Sequence, residues 1–336
     1  MILPPYLLYI GKVADPLSVK TSRGIAVWRP DLCLGQFRTA DDAIDLGLED
    51  IDFEEAAARG ARTLVLGVAN AGGVIAPEMV EHVLQALRAG LDVASGLHQR
   101  LSANPEIRAV AEELGRNLWD VREPPADLKV GKGVRRAGKR LLTVGTDCSV
   151  GKMYTTLALE RELHKRGVTA DFRATGQTGI LIAGSGMPID AVVADFISGA
   201  VEQLSPARED GGWDLIEGQG SLFHPSFAGV SLGLLHGSQP DALVLCHEAG
   251  RIKMRGMAVH TVPDLALCLE RNIEAARLTN PDVVAVGIAI NTASLTPEEA
   301  KSACAEAEDR LGLPAQDPVA MGVDRIVDRF AECFAL

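Results

Sequence analysis

The chain has 336 residues, with 33 basic and 45 acidic side chains and a formal net charge of -12. At roughly 150 residues per domain this length predicts two domains, each long enough to bury its own core. The acidic balance speaks against the basic face of a nucleic-acid binder, no apolar run approaches the roughly 20 residues of a membrane span, and 47% hydrophobic with 23% charged residues is the composition of a globular chain, not a disordered one.

The start, M-I-L-P-P-Y-L-L-Y-I, lacks a basic n-region and is interrupted by Pro4 and Pro5. It reads as the mature start of a cytoplasmic protein and not as a signal peptide. Six cysteines (Cys33, Cys148, Cys246, Cys268, Cys304, Cys333) are scattered without a C-x-x-C pair, which fits a reduced compartment, and no metal is expected. Ile25–Trp28 reads as a short strand. Thr63–Val68 is a better one, apolar on both faces as a buried parallel strand should be. Gly72 and Gly73 make a turn, Pro77 opens a helix, and Val80, Val83, Leu84 and Leu87 keep helical spacing. Leu91–Ala94 is the next strand. This βαβ pattern predicts a Rossmann-like first half, although no G-x-G-x-x-G is present to imply a dinucleotide.

Glu123–Arg140 opens with two prolines and carries Lys129, Lys132, Arg135, Arg136, Lys139 and Arg140. It reads either as a solvated connector or as an anion-attracting rim for the motif that follows. The domain boundary is placed there, giving 1–125 and 126–336. Beyond it, strands are expected at Arg140–Val144, Val168–Arg173, Trp213–Glu217, Ala242–Cys246 and Val283–Ile290. Helices are expected at Lys152–Arg166, Asp190–Leu204, Asp264–Thr279 and Pro297–Leu311. The fold class is therefore α/β: a Rossmann-like N-terminal domain and a P-loop NTPase-like C-terminal domain with a mostly parallel sheet.

Gly145, Thr146, Asp147, Cys148, Ser149, Val150, Gly151, Lys152 and Met153 lie between an expected strand and an expected helix. There, successive backbone N–H groups and the helix N-terminus form an anion site, and the lysine reaches the phosphates. The spacing departs from the usual G-x-x-x-x-G-K-[ST] by one extra residue, and Met153 replaces the hydroxyl that binds magnesium. Thr155 and Thr156 are out of register for that role. The five-residue version resembles the G-T-D-T-x-V-G-K-T loop of dethiobiotin synthetase.

Three further segments offer polar groups. Trp213–Pro225, W-D-L-I-E-G-Q-G-S-L-F-H-P, places Glu217 at the carboxyl edge of the sheet, where ligands of open α/β sheets bind, with Gln219, Ser221 and His224 following. It resembles the E-G-A-G-G segment of dethiobiotin synthetase, where the glutamate serves metal and phosphates. Arg173–Asp190 contains Arg173, Thr175, Gln177 and Thr178 among glycines that permit close backbone approach. Asp190 and Asp195 follow, either facing the site or capping a helix. C-H-E-A-G-R-I-K-M-R-G supplies His247, Arg251, Lys253 and Arg255, either an anion clamp or a solvated basic turn.

Together, G-T-D-C-S-V-G-K-M, R-A-T-G-Q-T-G, D-A-V-V-A-D-F-I-S-G-A, I-E-G-Q-G-S-L-F-H-P, L-G-L-L-H-G-S-Q-P-D-A-L-V-L-C-H and the N-terminal G-V-A-N-A-G-G and A-G-L-D-V-A-S-G-L-H resemble one two-domain family of formerly unknown function. Its members include D-glutamate N-acetyltransferases, and the similarity covers nearly the whole chain. It implies transfer of an acetyl group from acetyl-CoA to the amino group of D-glutamate or a similar D-amino acid, with no metal. The loop from Gly145 to Met153 would hold CoA phosphate. Glu217 or His224 would be the base, and Gln177, Gln219 or loop N–H groups would meet the oxyanion. Arg173, Arg251 or Arg255, with Thr175 and Ser221, would bind the substrate. Two other readings stand beside this one. The first is a magnesium- and ATP-dependent ligase or kinase acting on a small carboxylate. The second is a non-catalytic nucleotide or metabolite sensor. A homo-oligomer is expected, with small-molecule substrates and neither nucleic acid nor membrane as partner.

Overall fold

The computed structural model describes residues 1–16, 18–68 and 75–336. Its chain divides into two compact units, Met1–Pro124 with Gly176–Pro188, and Pro125–Thr175 with Ile189–Leu336. The excursion at Gly176–Pro188 has no counterpart in the sequence-based boundary. Gly72 and Gly73, expected to form a turn, lie outside the described residues.

The first unit holds a parallel sheet ordered β2-β1-β3-β4-β5, formed by β1 (Tyr6–Gly11), β2 (Cys33–Arg38), β3 (Thr63–Leu66), β4 (Asp92–Ser95) and β5 (Leu118–Asp120). All of β1 is buried, as a central strand covered on both faces must be. Pro4 and Pro5 precede this strand and so do not interrupt its ladder. The helices are α1 (Lys20–Trp28), α2 (Phe53–Ala58), α3 (Pro77–Arg88) and α4 (Pro105–Leu114). Ile25–Trp28 is thus the end of α1 and not a strand. The buried positions Thr21, Ser22, Gly24, Ile25 and Trp28 have helical spacing, which a four-residue apolar window cannot show. Pro77 opens α3, which buries Met79, Val83, Leu84 and Leu87. In the core, Phe37 stacks on Phe53 with ring centres 4.2 Å apart, and the Tyr9 hydroxyl meets His82 Nδ1 at 3.0 Å.

The second unit holds a six-stranded, all-parallel sheet ordered β11-β10-β9-β6-β8-β7. Its strands are β6 (Lys139–Gly145), β7 (Ala170–Arg173), β8 (Trp213–Ile216), β9 (Ala242–Glu248), β10 (Val284–Asn291) and β11 (Ala315–Gln316). Helix α5 (Lys152–Lys165) packs with α11 (Asp324–Phe334), while α7 (Ile197–Leu204), α8 (Ala228–Ser238), α9 (Leu265–Arg277) and α10 (Pro297–Leu311) pack in succession. Right-handed crossovers place these two sets on opposite faces. The chain reverses direction across β6, so the ends of β6, β8 and β9 surround a topological switch point. Helix α6 (Gln177–Ala183) belongs to the first unit, and its Thr178 hydroxyl meets that of Thr21 at 2.9 Å.

Two expectations are corrected here. Asp190–Leu204 is not one helix: Val193 turns extended, with ψ 137°, and separates a 3-10 turn at Ile189–Ala191 from a second at Ala194–Phe196, which leads directly into α7. The basic stretch before β6 is not a rim of the glycine loop. It lies at the start of β6, about seven residues, or roughly 20 Å of strand, from the loop. There Arg136 donates to the carbonyls of Ser205 and Gly237 at 2.9 and 2.7 Å. Arg140, 1% exposed, donates to the Ser205 hydroxyl at 2.8 Å and to four carbonyls. These cations satisfy buried oxygens of the framework.

Candidate active site

Four chain segments meet at the carboxyl edge of the second sheet because their strands run parallel. They are the loop after β6, Ala174–Thr175 after β7, Glu217–His224 after β8, and His247–Arg255 at and after β9. Thr143 on β6 ties the segment after β8 to α5. Its hydroxyl meets that of Thr156 on α5 at 3.0 Å and accepts from Gly218 N–H at 3.0 Å. A Cβ on Gly218 would lie 1.8 Å from the Thr143 carbonyl oxygen and 2.9 Å from Lys152 Cδ, so only glycine lets the β8 loop pass beside the lysine stem.

The loop itself has the form of an anion nest. Ser149 and Gly151 have φ of 55° and 103°, and α5 begins immediately after. Among the described residues, the backbone N–H groups of Ser149, Val150, Gly151, Lys152 and Met153 donate to no acceptor. Five consecutive unpaired donors at a helix N-terminus form a site that wants negative charge. Lys152 is buried, with Nζ donating to the Asp147 carbonyl at 2.8 Å. Burial pulls its pKa below the ordinary lysine value, because an ammonium with one carbonyl partner is poorly solvated there.

Asp147 organises the opposite side. Its buried carboxylate accepts from Arg251 Nη1 at 2.8 Å and from Arg255 N–H at 2.7 Å. Arg251 also donates to the Cys148 carbonyl at 2.7 Å and pairs with Glu248, so its guanidinium braces the loop. The Arg255 guanidinium is exposed and has no partner among the described residues. In sequence Arg251, Lys253 and Arg255 form either an anion clamp or a solvated basic turn; the structure gives Arg251 a bracing role and leaves the Arg255 guanidinium open. The sequence did not reveal Asp147 as their common partner, because the contact spans about a hundred residues.

His224 is buried and both its nitrogens are engaged. Ser226 N–H donates to Nδ1 at 3.2 Å, so the proton sits on Nε2, which faces the Arg255 carbonyl at 3.2 Å. The imidazole therefore has no lone pair open to an incoming amine. Ligand atoms of Asp147, Cys148 and His224 lie within 4.8 Å of one another, but this set does not suit a cation. The carboxylate already carries a guanidinium, and the imidazole nitrogen on that side, Nε2, bears the proton directed at the Arg255 carbonyl. Burial pushes the Cys148 thiol up, against the pull of Lys152, which disfavours a nucleophilic thiolate. His247 accepts or donates with the Thr146 hydroxyl at 2.9 Å, and burial followed by the nearby Arg251 lowers its pKa.

Glu217 closes the floor. Its Oε2 accepts from Thr175 N–H at 2.8 Å, and its carbonyl accepts from the Thr175 hydroxyl at 2.7 Å. Gln219 Nε2 donates to that same hydroxyl at 3.1 Å. Ser221 is buried beside them, its oxygen accepting from Phe223 N–H at 3.2 Å. Thus Glu217, Thr175, Gln219 and the glycine loop are brought together. Arg173 is turned elsewhere: its guanidinium pairs with the fully buried Asp214 at 2.8 Å, a carboxylate shared with Arg208 and Ser205. Gln177 opens α6 in the first unit, where its side chain lies beside Gly96. Met153 offers no oxygen, and the Thr155 and Thr156 hydroxyls donate to the carbonyls of Gly151 and Lys152 at 3.0 and 2.8 Å.

Known proteins match this arrangement over nearly the whole chain. Residues 129–327 match a domain of unknown function described as the DUF1611 C-terminal P-loop domain, and residues 36–124 its N-terminal Rossmann-like domain. A D-glutamate N-acetyltransferase from a Pseudoalteromonas species is 51% identical over 97% of this chain and 98% of its own length. One from Tritonibacter scottomollicae is 51% identical over 98% of this chain and 99% of its own. The crystal structure of a DUF1611 family protein from Anabaena variabilis superposes with a TM-score of 0.83 at 33% identity, covering 97% and 99% of the two chains. With both halves matched, the chain belongs to the DUF1611 family.

Proposed function

We propose that this protein is a D-glutamate N-acetyltransferase that uses acetyl-CoA as donor, with the CoA phosphates held by the loop from Gly145 to Met153. The acyltransferase reading is carried by near full-length relatives of that name at 51% identity. The placement of the donor is supported by the five unpaired N–H groups above a buried lysine. A pyrophosphate would accept from those donors and restore a counter-charge to Lys152. No hydrolysis is needed, so the hydroxyl missing at Met153 is no loss.

In the reaction the amine nitrogen attacks the thioester carbonyl carbon, the adduct nitrogen gives up a proton, the carbon–sulfur bond breaks, and the departing CoA thiolate takes up that proton. The amine must first lose its own proton, because an ammonium has no lone pair. Glu217 is the base in this reading, since its carboxylate sits at the switch point and the His224 lone pair is occupied. Gln219 keeps one amide N–H beyond its bond to Thr175 and can meet the developing oxyanion. The exposed Arg255 guanidinium suits an acceptor carboxylate, which it can hold through two parallel hydrogen bonds.

The test is incubation with acetyl-CoA and D-glutamate without ATP or magnesium, following free thiol, with L-glutamate as control. Thiol release and an N-acetylated product with D-glutamate support the reading. Phosphate release only with magnesium, ATP and a carboxylate would replace it with a ligase.

A further inference from the structure

Beside the glycine loop, the start of α5 and the segments after β10 and β11 enclose a cavity of about 620 Å³, the size of a small-molecule site. Its wall includes Val150 and Gly151 of the loop itself, then Leu295, Pro318, Val319 and Met321. Val319 is 72% exposed, an apolar side chain displayed at a rim. The shape is built by Asp317. One of its oxygens accepts from Thr292 N–H and hydroxyl at 2.8 and 2.5 Å, and the other from Val319 and Ala320 N–H at 2.8 and 2.9 Å. That carboxylate is saturated by the wall it supports and offers nothing to a ligand. Asn291 differs. Its oxygen accepts from Ala293 N–H at 3.1 Å, while its Nδ2 has no acceptor among the described residues.

We infer that this cavity takes the adenosine end of the acyl donor, with Asn291 Nδ2 donating to a ring nitrogen. The inference rests on the reading of the loop as the CoA phosphate site. Continuity carries it: the residues that present N–H groups to phosphate also form the cavity wall, so a nucleoside attached to that phosphate enters directly. The lining favours a flat ring over the pantetheine arm. Two amides in the arm would each need hydrogen-bond partners, whereas the wall is mostly apolar with few free donors.

Ala293 and Ala320 line the cavity with exposed side chains, so bulk added there enters the cavity without entering the core. In Ala320→Trp and Ala293→Trp, the KM for acetyl-CoA should rise at least tenfold. The KM for S-acetylpantetheine, which lacks the nucleotide, should stay within twofold. Calorimetric binding of adenosine 3′,5′-bisphosphate should be lost in parallel, a readout independent of turnover. An unchanged acetyl-CoA KM in both folded variants overturns the inference, as does an equal rise for both donors, which would put the arm in the cavity. If Lys152→Met raises the acetyl-CoA KM while the tryptophan variants do not, only this inference falls. If Lys152→Met has no effect either, the loop reading falls with it.

Discussion

Lys152→Met removes the charge and keeps most of the stem. Lys152 Nζ gives one of its three protons to the Asp147 carbonyl, leaving two for phosphate. Hydrogen bonds to charged partners contribute about 1.5–3 kcal/mol each, but the five backbone N–H groups remain and the contributions do not add. A net loss of about 2–4 kcal/mol corresponds to a KM for acetyl-CoA roughly 30- to 1000-fold higher. Stability without ligand should move the other way. A buried ammonium with one partner costs free energy that a thioether of similar volume does not, so the variant should melt above the parent. Ligand should then reverse the order. At a hundredfold excess over Kd, CoA stabilises the parent by about 2.7 kcal/mol, or about 5–10 °C for a unit of this size. The variant should show almost none of that shift. Steady-state kinetics and thermal denaturation with and without CoA measure both effects. An unchanged KM together with a full CoA-induced shift would refute the idea that this loop binds the donor.

Three other perturbations separate roles that the site geometry distinguishes. Glu217→Gln should keep the bond from Thr175 N–H and lower kcat about 100- to 10,000-fold with little change in KM; retained turnover removes Glu217 as base. Arg173→Met should destabilise by about 1.5 kcal/mol, because Arg208 and Ser205 still hold Asp214, while the KM for D-glutamate stays put. Arg255→Met should do the reverse, raising that KM about 10- to 100-fold without lowering the melting temperature; the opposite pattern in the pair would exchange their roles. His247 has a folded pKa below its unfolded value, so the unfolded chain binds the extra proton first as pH falls. The stability this implies is complete above the unfolded pKa near 6.5 and is lost as pH drops through the folded pKa. His247→Gln should flatten the denaturant midpoint over that window relative to the parent. Identical pH profiles would show that His247 contributes nothing to it.

Local patterns identified what a contiguous motif encodes. The strand–glycine loop–helix around Gly145–Lys152 and the carboxylate ending β8 were legible because each is a single stretch with its own backbone logic. Legibility failed where function or burial depends on partners far along the chain. Arg251 and Arg255 look alike in sequence, and only Asp147 separates their roles. Arg173 looks like a substrate ligand until Asp214 is seen to hold it. The cations before β6 read as a connector or a rim because nothing in that stretch shows that Ser205, Gly237 and Asp241 will accept from Arg136, Arg135 and Lys139. β1 was masked by the prolines that precede it, and the cavity beside the loop has no motif at all. Its framework joins Thr292 to Asp317 across two strand ends.

The chemistry of the loop also predicts its response to metal. A loop that cleaves nucleotides needs an oxygen ligand for magnesium at the position after the lysine, and here that position is Met153. The nearest aliphatic hydroxyls, Thr155 and Thr156, donate to backbone carbonyls of Gly151 and Lys152 and lie further into the helix. The Asp147 carboxylate carries Arg251, so a cation approaching it would face a guanidinium. Within the loop, among the described residues, the backbone N–H groups and one ammonium remain open, and all of these attract anions unaided. Acetyl-CoA should therefore bind with the same KM in EDTA and in excess magnesium, and Met153→Thr should leave that KM within about threefold. A steep magnesium requirement in the parent protein would mean that another oxygen, with Glu217 the first to replace, serves a metal during turnover. The loop would then have to be read as a nucleotide-cleaving one.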